Sequence, residues 1–353
     1  MAYPVKWLFL VLLVVVTAHA QSIEDDAHID SLSKLRPADA AVDKALKWLV
    51  RQQHKSGAFP LTRNKLNSDN VHATTALACL ALMAAGHFPD RSELGGQLRQ
   101  GILFIVQRTA QNKGYLGGDK SRLYGHGMCT VALASAYGMM PDAQENRQVG
   151  MALQAAVQVI LDAQREGEGK FAGGWHYEEK GDEADLCVST WQLLALRAAV
   201  QCRLPVKRDV LDSALGFVRR TWDGAAQTYA YQPQGTQSNA MRAAGILSLN
   251  LLGLAAEADH EQINRAAKPL LSEEPHAGRN FYYTLFLQTL AASTLGGEHA
   301  SRFLPRMRGA IRPLQQESGE FRKHSGYAGG VYATSMAVLS LCMDYQFLPV
   351  LQE

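Results

Sequence analysis

Two kinds of helix alternate along this chain, and the alternation limits what it can fold into. Segments such as Val42-Asp43-Lys44-Ala45-Leu46-Lys47-Trp48-Leu49 are charged on one face and apolar on the other, whereas Ala73-Thr74-Thr75-Ala76-Leu77-Ala78-Cys79-Leu80-Ala81-Leu82 is apolar nearly all round. The first kind keeps one side for water; the second must be covered on most sides. The pattern predicts six pairs: 41–53 with 71–85, 98–108 with 126–137, 152–164 with 186–200, 210–222 with 238–254, 262–271 with 281–295, and 303–316 with 331–345. The second helices begin 43 to 60 residues apart, a spacing suited to paired-helix repeats.

An amphipathic outer layer around an apolar inner layer is what hairpins closed into a ring produce. An open superhelix needs polar caps on its end repeats, yet the final inner helix, 332–341, is as apolar as the middle ones. The expected fold is all-α, an (α/α)6 toroid of six hairpins filling residues 39–353. Loops between the helices repeat a second signature. Gln53 to Phe59 and Gln315 to Phe321 both fit Q-x-x-x-G-x-[FW], with looser versions at Gln107 to Tyr115, Gln164 to Trp175 and Trp222 to Tyr231. The Gln is expected to satisfy carbonyls at the helix end, the Gly to supply a left-handed turn and the aromatic to staple the loop down.

Ahead of the repeats, Lys6 precedes an apolar run from Trp7 to Val16 and then Thr17-Ala18-His19-Ala20. That is the layout of a signal peptide, 1–20, cleaved after Ala20, followed by an irregular lead-in, 21–38. The reading makes the mature chain secreted or periplasmic, with no transmembrane segment. The chain has 35 Lys+Arg and 33 Asp+Glu, and no basic stripe, so no nucleic-acid partner is implied. Of five cysteines, Cys79, Cys129, Cys202 and Cys342 fall in or at the end of apolar helical runs. An odd count without close spacing argues against a disulfide framework. Only Cys187 stands beside polar groups at a helix start.

The hairpins and their Gln/Gly/aromatic loops resemble the squalene-hopene cyclase and protein prenyltransferase β-subunit superfamily. The likeness is strongest in Gly173-Gly174-Trp175-His176-Tyr177 running into Asp185-Leu186-Cys187-Val188-Ser189-Thr190-Trp191, similar to secreted bacterial cyclase-like proteins, with Leu123-Tyr124-Gly125-His126-Gly127 and Tyr231-Gln232-Pro233 in keeping. In prenyltransferases, an Asp-x-Cys at an inner-helix start supplies two zinc ligands and a later His the third. The resemblance therefore implies Asp185 and Cys187 as a zinc pair, but Tyr283 stands where the His is expected, leaving the set incomplete unless His126 or His72 fills in. Class II cyclases use D-x-D-D there; the alignment puts Cys187 at the proton-donating Asp, and a thiol is too weak an acid to protonate an alkene.

The residues themselves give Asp185 as an N-cap, and Cys187 as either a packed small residue or a thiolate favoured by the helix dipole. Asp185, Cys187, His126 and Tyr283 are the catalytic candidates. Trp175, His176, Trp191, Tyr282, Tyr332 and His72 are candidates for holding a ligand, since aromatic faces suit an apolar one. His72 and His126 are read as starting inner helices on the same rim as Asp185. The leading function is an exported toroid binding an isoprenoid or other apolar ligand in a central cavity. A non-catalytic module for a protein or cell-envelope partner and a polysaccharide-acting toroid are the alternatives.

Overall fold

The computed structural model describes residues 39–61, 65–66, 69–89, 94–251, 256–275, 280–322 and 330–345. The signal peptide and lead-in lie outside the described residues. Among those described, six helices form an outer layer: α1 (Ala40–Gln52), α3 (Gly95–Gln111), α5 (Ala143–Asp162), α7 (Arg208–Arg220), α9 (Glu257–Ala267) and α11 (Gly297–Ile311). Six more form the inner layer: α2 (Val71–Ala84), α4 (Arg122–Ala136), α6 (Leu186–Gln201), α8 (Asn239–Asn250), α10 (Phe281–Leu295) and α12 (Val331–Leu341). Each inner helix packs on the next, and α12 returns onto α2, so the ring is closed. Each outer helix lies against the inner helix of the preceding hairpin, α1 against α12 included.

Charge patterning explains the layers. All fourteen residues of α2 are buried, whereas α1 buries only Val42, Ala45, Leu46, Trp48 and Leu49. No described helix is long and apolar enough to cross a membrane.

The loop signature joins neighbouring hairpins. Gln53 Nε2 donates to Gly57 O at 2.9 Å and to Gln97 O of α3 at 2.8 Å; Gln164 Nε2 donates to Gly173 O at 2.8 Å and Val210 O of α7 at 2.9 Å. Gln315 does the same at the seam, reaching Ala41 O of α1 at 2.8 Å. The Gln therefore clasps the next outer helix; it does not serve the carbonyls of its own last turn. The loop glycine is required twice over. Gly319 has φ +99°, and a Cβ there would stand 2.2 Å from Lys44 O; Gly57 and Gly173 meet Gln100 O and Ser213 O at 2.2 and 2.0 Å.

Several boundaries differ from the sequence expectation. Helix α5 begins at Ala143 because Asp142 caps it, accepting from the Gln144 and Glu145 amides. Pro269 and Pro313 fall in short 3-10 turns that end the outer helices near them. Trp222 leaves the helix for a two-residue antiparallel ribbon, β1 (Trp222–Asp223) with β2 (Thr228–Tyr229). Helix α4 starts at Arg122, so His126 lies a turn inside it and not at its start.

Candidate functional site at the ring mouth

The inner helices begin on one rim, and the loop from Gln164 to Asp185 brings polar groups to it. Arg165, nearly buried, fastens this loop by donating to the carbonyls of Glu183, Glu179, Glu178 and Ala163 at 2.7 to 3.1 Å. The Asp185 amide donates to Trp175 O at 2.9 Å, and the Leu186 amide to Tyr231 O at 2.8 Å. Asp185 is the N-cap of α6: Oδ1 accepts from the Val188 amide at 2.8 Å. The other oxygen, Oδ2, is buried with no donor at hydrogen-bonding geometry and lies 3.9 Å from His176 Nε2. Burial raises the Asp185 carboxyl from 3.8 to about 7, against the opposing pull of the Val188 amide, the Tyr231 hydroxyl, the Cys187 amide and the Arg165 charge. His176 Nε2 also lies 3.8 Å from Glu183 Oε2, and burial pushes its imidazole down while Glu183 draws it up.

Cys187 Sγ sits 3.0 Å from Tyr283 Oη. Burial pushes the thiol up to about 12, the Asp185 charge adds to this, and the Tyr283 and Tyr124 hydroxyls only partly offset it. Of the two readings of Cys187, this favours the packed small residue over the dipole-lowered thiolate: one turn of helix dipole loses to desolvation and a neighbouring acid. Tyr124, Tyr283 and Tyr332 are likewise held above the ordinary phenol value by burial first. The result is an uncharged floor of phenols and a thiol below one carboxyl that titrates near neutrality.

These side chains meet across the ring. Six helices packed at about 9 to 10 Å place each axis about that far from the centre, leaving about 7 Å from a wall Cα to the middle. An extended aromatic spans such a gap. Tyr124 of α4 and Tyr283 of α10 come from opposite walls, with ring centroids 5.9 Å apart. Cys187 of α6 reaches the same Tyr283. Deeper, Trp191 of α6 stacks on Phe286 of α10 at 5.9 Å and 12° between planes, with Tyr124 edge-on at 6.3 Å. The expected central cavity is crossed at this level by aromatic side chains, so the accessible part of the ring is its mouth. There His176, Tyr177, Tyr231, Tyr124 and Tyr332 are all only half-buried.

The structure brings Asp185, Cys187, Tyr283, His176, Trp191 and Tyr332 to this mouth and its floor, and places others elsewhere. His126 is fully buried between hairpins, Nδ1 accepting from the Leu116 amide at 3.1 Å and Nε2 facing Ala156 O of α5 at 2.9 Å. Burial lowers it to about 4, and with both nitrogens committed to backbone it is a structural residue. It occupies the place of Thr75, Ser189 and Thr334, which accept from the amides of Phe59, Trp175 and Phe321. His72 Nδ1 bonds Leu116 O at 2.8 Å. Trp175 has no exposed surface and donates Nε1–H to Ile160 O at 2.7 Å, which makes it core. Tyr282 donates to Arg322 O at 2.7 Å. Tyr124 and Tyr231 were missed as site residues, although both stand in the motifs that carried the resemblance.

Zinc does not fit this arrangement. It takes thiolate, imidazole and carboxylate, whereas the group facing Cys187 is the Tyr283 phenol, His126 and His72 are bonded to backbone elsewhere, and Asp185 Oδ1 is committed to its cap. No group of three His, Cys, Asp or Glu able to hold a metal occurs among the described residues.

A family model, the prenyltransferase alpha-alpha toroid domain, matches residues 27–221, more than half of the sequence. The chain belongs to that family. No curated protein matches it. Among solved structures, it is similar to an inactive variant of the GH76A alpha-1,6-mannanase of Salegentibacter sp. HEL1_6 in complex with alpha-1,6-mannotriose, at 10% identity and TM-score 0.63, covering 87% of this chain and 98% of that one. The type II terpene cyclase MstE from Scytonema matches at 14% identity and TM-score 0.54, covering 91% and 99%. Cellobiose 2-epimerase from Bacillus thermoamylovorans B4167 matches at 9% identity and TM-score 0.57, covering 90% and 100%. At these identities the likeness is one of fold.

Proposed function

We propose that this toroid is exported and binds an uncharged, predominantly apolar ligand, an isoprenoid among the candidates, at the mouth of its ring, where Asp185 moves a proton. The observation that carries the reading is the buried carboxyl of Asp185, titrating at about 7, with Oδ2 lacking a donor at full hydrogen-bonding geometry and His176 Nε2 at 3.9 Å, over a floor of uncharged phenols. An acid of that strength suits proton transfer to or from oxygen at neutral pH. It is too weak to protonate an alkene, so the type II cyclase reaction is not the proposal. The structural likeness to MstE, which in another structure is held with geranylgeranyl dihydroxybenzoate, supports an isoprenoid-bearing ligand.

The test is binding and turnover with farnesol and geranylgeraniol, followed by Trp fluorescence and product analysis. Asp185→Asn is expected to retain binding and lose turnover; binding by neither protein refutes the reading. A second reading, a polysaccharide-acting enzyme, draws on Glu183 and Asp185 both lying within 4 Å of His176 and on the likeness to the mannanase. Alpha-1,6-mannotriose run as a parallel ligand decides between them. Export is tested by the mature N-terminus, expected at Gln21.

A further inference from the structure

A proton on Asp185 has to travel before it meets anything outside the protein. Oδ1 is taken by the cap, and Oδ2 lies 3.9 Å from His176 Nε2. The same nitrogen lies 3.8 Å from Glu183 Oε2. Exposure rises along this line, from 0% for the Asp185 side chain to 26% for His176 and 64% for Glu183, so the imidazole stands between the buried carboxyl and solvent. Backbone bonds on either side hold it there. Trp175 O accepts the Asp185 amide and the Trp175 amide donates to Ser189 Oγ, both at 2.9 Å, while Tyr177 O accepts the Leu123 amide at 3.0 Å. His176 is thus strung between the starts of α6 and α4, with its ring edge-on to Tyr177 at 5.5 Å. The charges acting on it besides Asp185 are Glu183, Arg165, Glu178 and Arg122, from its own loop and the first residue of α4. Two other groups act on Asp185, and neither can pass a proton at neutral pH. Burial and the Asp185 charge hold the Tyr231 phenol far above that range, and the Arg165 guanidinium keeps its charge. Of the three, the imidazole alone titrates near neutrality.

We propose that His176 is the residue that exchanges a proton with the ligand, and that Asp185 acts through it as the buried partner. This inference rests on the proposed role of Asp185 and deepens it, by moving the contact with a hydroxyl-bearing ligand one residue outward. With Nε2 turned to the two carboxylates, Nδ1 is the nitrogen left for the ligand. The ligand hydroxyl gives its proton to Nδ1 and keeps the electron pair on oxygen; the Nε2 proton passes to Asp185 Oδ2, leaving a neutral imidazole, and the reverse steps return both protons. The separation of 3.9 Å is an ion-pair distance, and closing it by about 1 Å makes a hydrogen bond, a tightening common when a catalytic site fills.

Two measurements test the order of the groups without any ligand. Carbodiimide with glycine ethyl ester, followed by peptide mapping, is expected to label Glu183 in the wild type and leave Asp185 untouched; in His176→Gly it is expected to label both. Asp185 labelled alongside Glu183 in the wild type, or still untouched in a folded His176→Gly, overturns the proposal. NMR of the His176 imidazole, assigned by its loss in His176→Gln, is expected to show a step near pH 7 besides its own titration, because the neighbouring carboxyl changes charge there. Asp185→Asn is expected to remove that step and Glu183→Gln to keep it; a wild type without the step, or a step that survives Asp185→Asn, counts against the pair. On farnesol, His176→Gln is expected to keep binding and lower turnover about 100-fold or more. Full turnover by His176→Gln where Asp185→Asn has lost it overturns the role of His176 and leaves that of Asp185 standing. Failure of both farnesol and geranylgeraniol to bind the wild type removes the ligand reading itself, and the role of His176 with it.

Discussion

Asp185→Asn separates the energetic consequence of the buried carboxyl from everything else at the ring mouth. Asparagine is as good an N-cap as aspartate, so the bond to the Val188 amide survives. In the folded chain the Asp185 carboxyl titrates at about 7, against an ordinary 3.8. Its folded value is raised, so between about pH 4 and 7 the folded state holds a proton that the unfolded state has released, and stability falls as pH rises through that window. About three pH units at about 1.4 kcal/mol each give a loss of about 4 kcal/mol, complete above pH 7. The Asn variant carries no such penalty. The difference in unfolding free energy, variant minus wild type, is expected to be near zero at pH 4 and to grow to several kcal/mol in the variant's favour at pH 8. Urea unfolding followed by circular dichroism at pH 4, 6 and 8 measures it. A difference that stays constant with pH refutes the burial argument.

His126 should show the opposite slope. Its folded value of about 4 lies below the ordinary 6.5, so it contributes stability above pH 6.5 that is lost as pH falls toward 4, about 3 kcal/mol in all. Replacing it with Ala is expected to cost about 2 to 3 kcal/mol at pH 8, by orphaning the Leu116 amide, and to flatten acid sensitivity in that range, both visible in the same urea series. At the seam, Gln315→Ala removes the clasp to Ala41 O and is expected to cost about 1 to 2 kcal/mol by thermal unfolding. Gly319→Ala should cost more, about 3 kcal/mol, because it adds left-handed strain to a clash with Lys44 O; equal effects of the two substitutions would count against the clasp and glycine acting as described.

The ring was legible in the sequence because helix polarity is a local pattern: α1 and α2 announce outer and inner layers from their own residues. The joint role of the loop glutamines was not, since Gln53 and Gln315 act on helices 44 and 274 residues away. Asp185 was legible as a cap from its place before an apolar run. The state of Cys187 was not, because desolvation depends on Tyr124 and Tyr283, which only ring closure brings near. His126 was read at a helix start and lies a turn inside α4, where the glycines on either side of it are packed closely. A Cβ on Gly125 would meet Ser121 and Ala73, and one on Gly127 would meet Gln192 and Trp191.

Photolabelling asks most directly whether the ring mouth at Asp185 is a ligand seat with a closed floor. With a diazirine-bearing farnesol analogue and peptide mapping, label is expected on Tyr124, Tyr177, Tyr231 or Tyr332 and is expected to be competed by unlabelled farnesol. Competable label confined to the outer helices, or none at saturating probe, would contradict the claim.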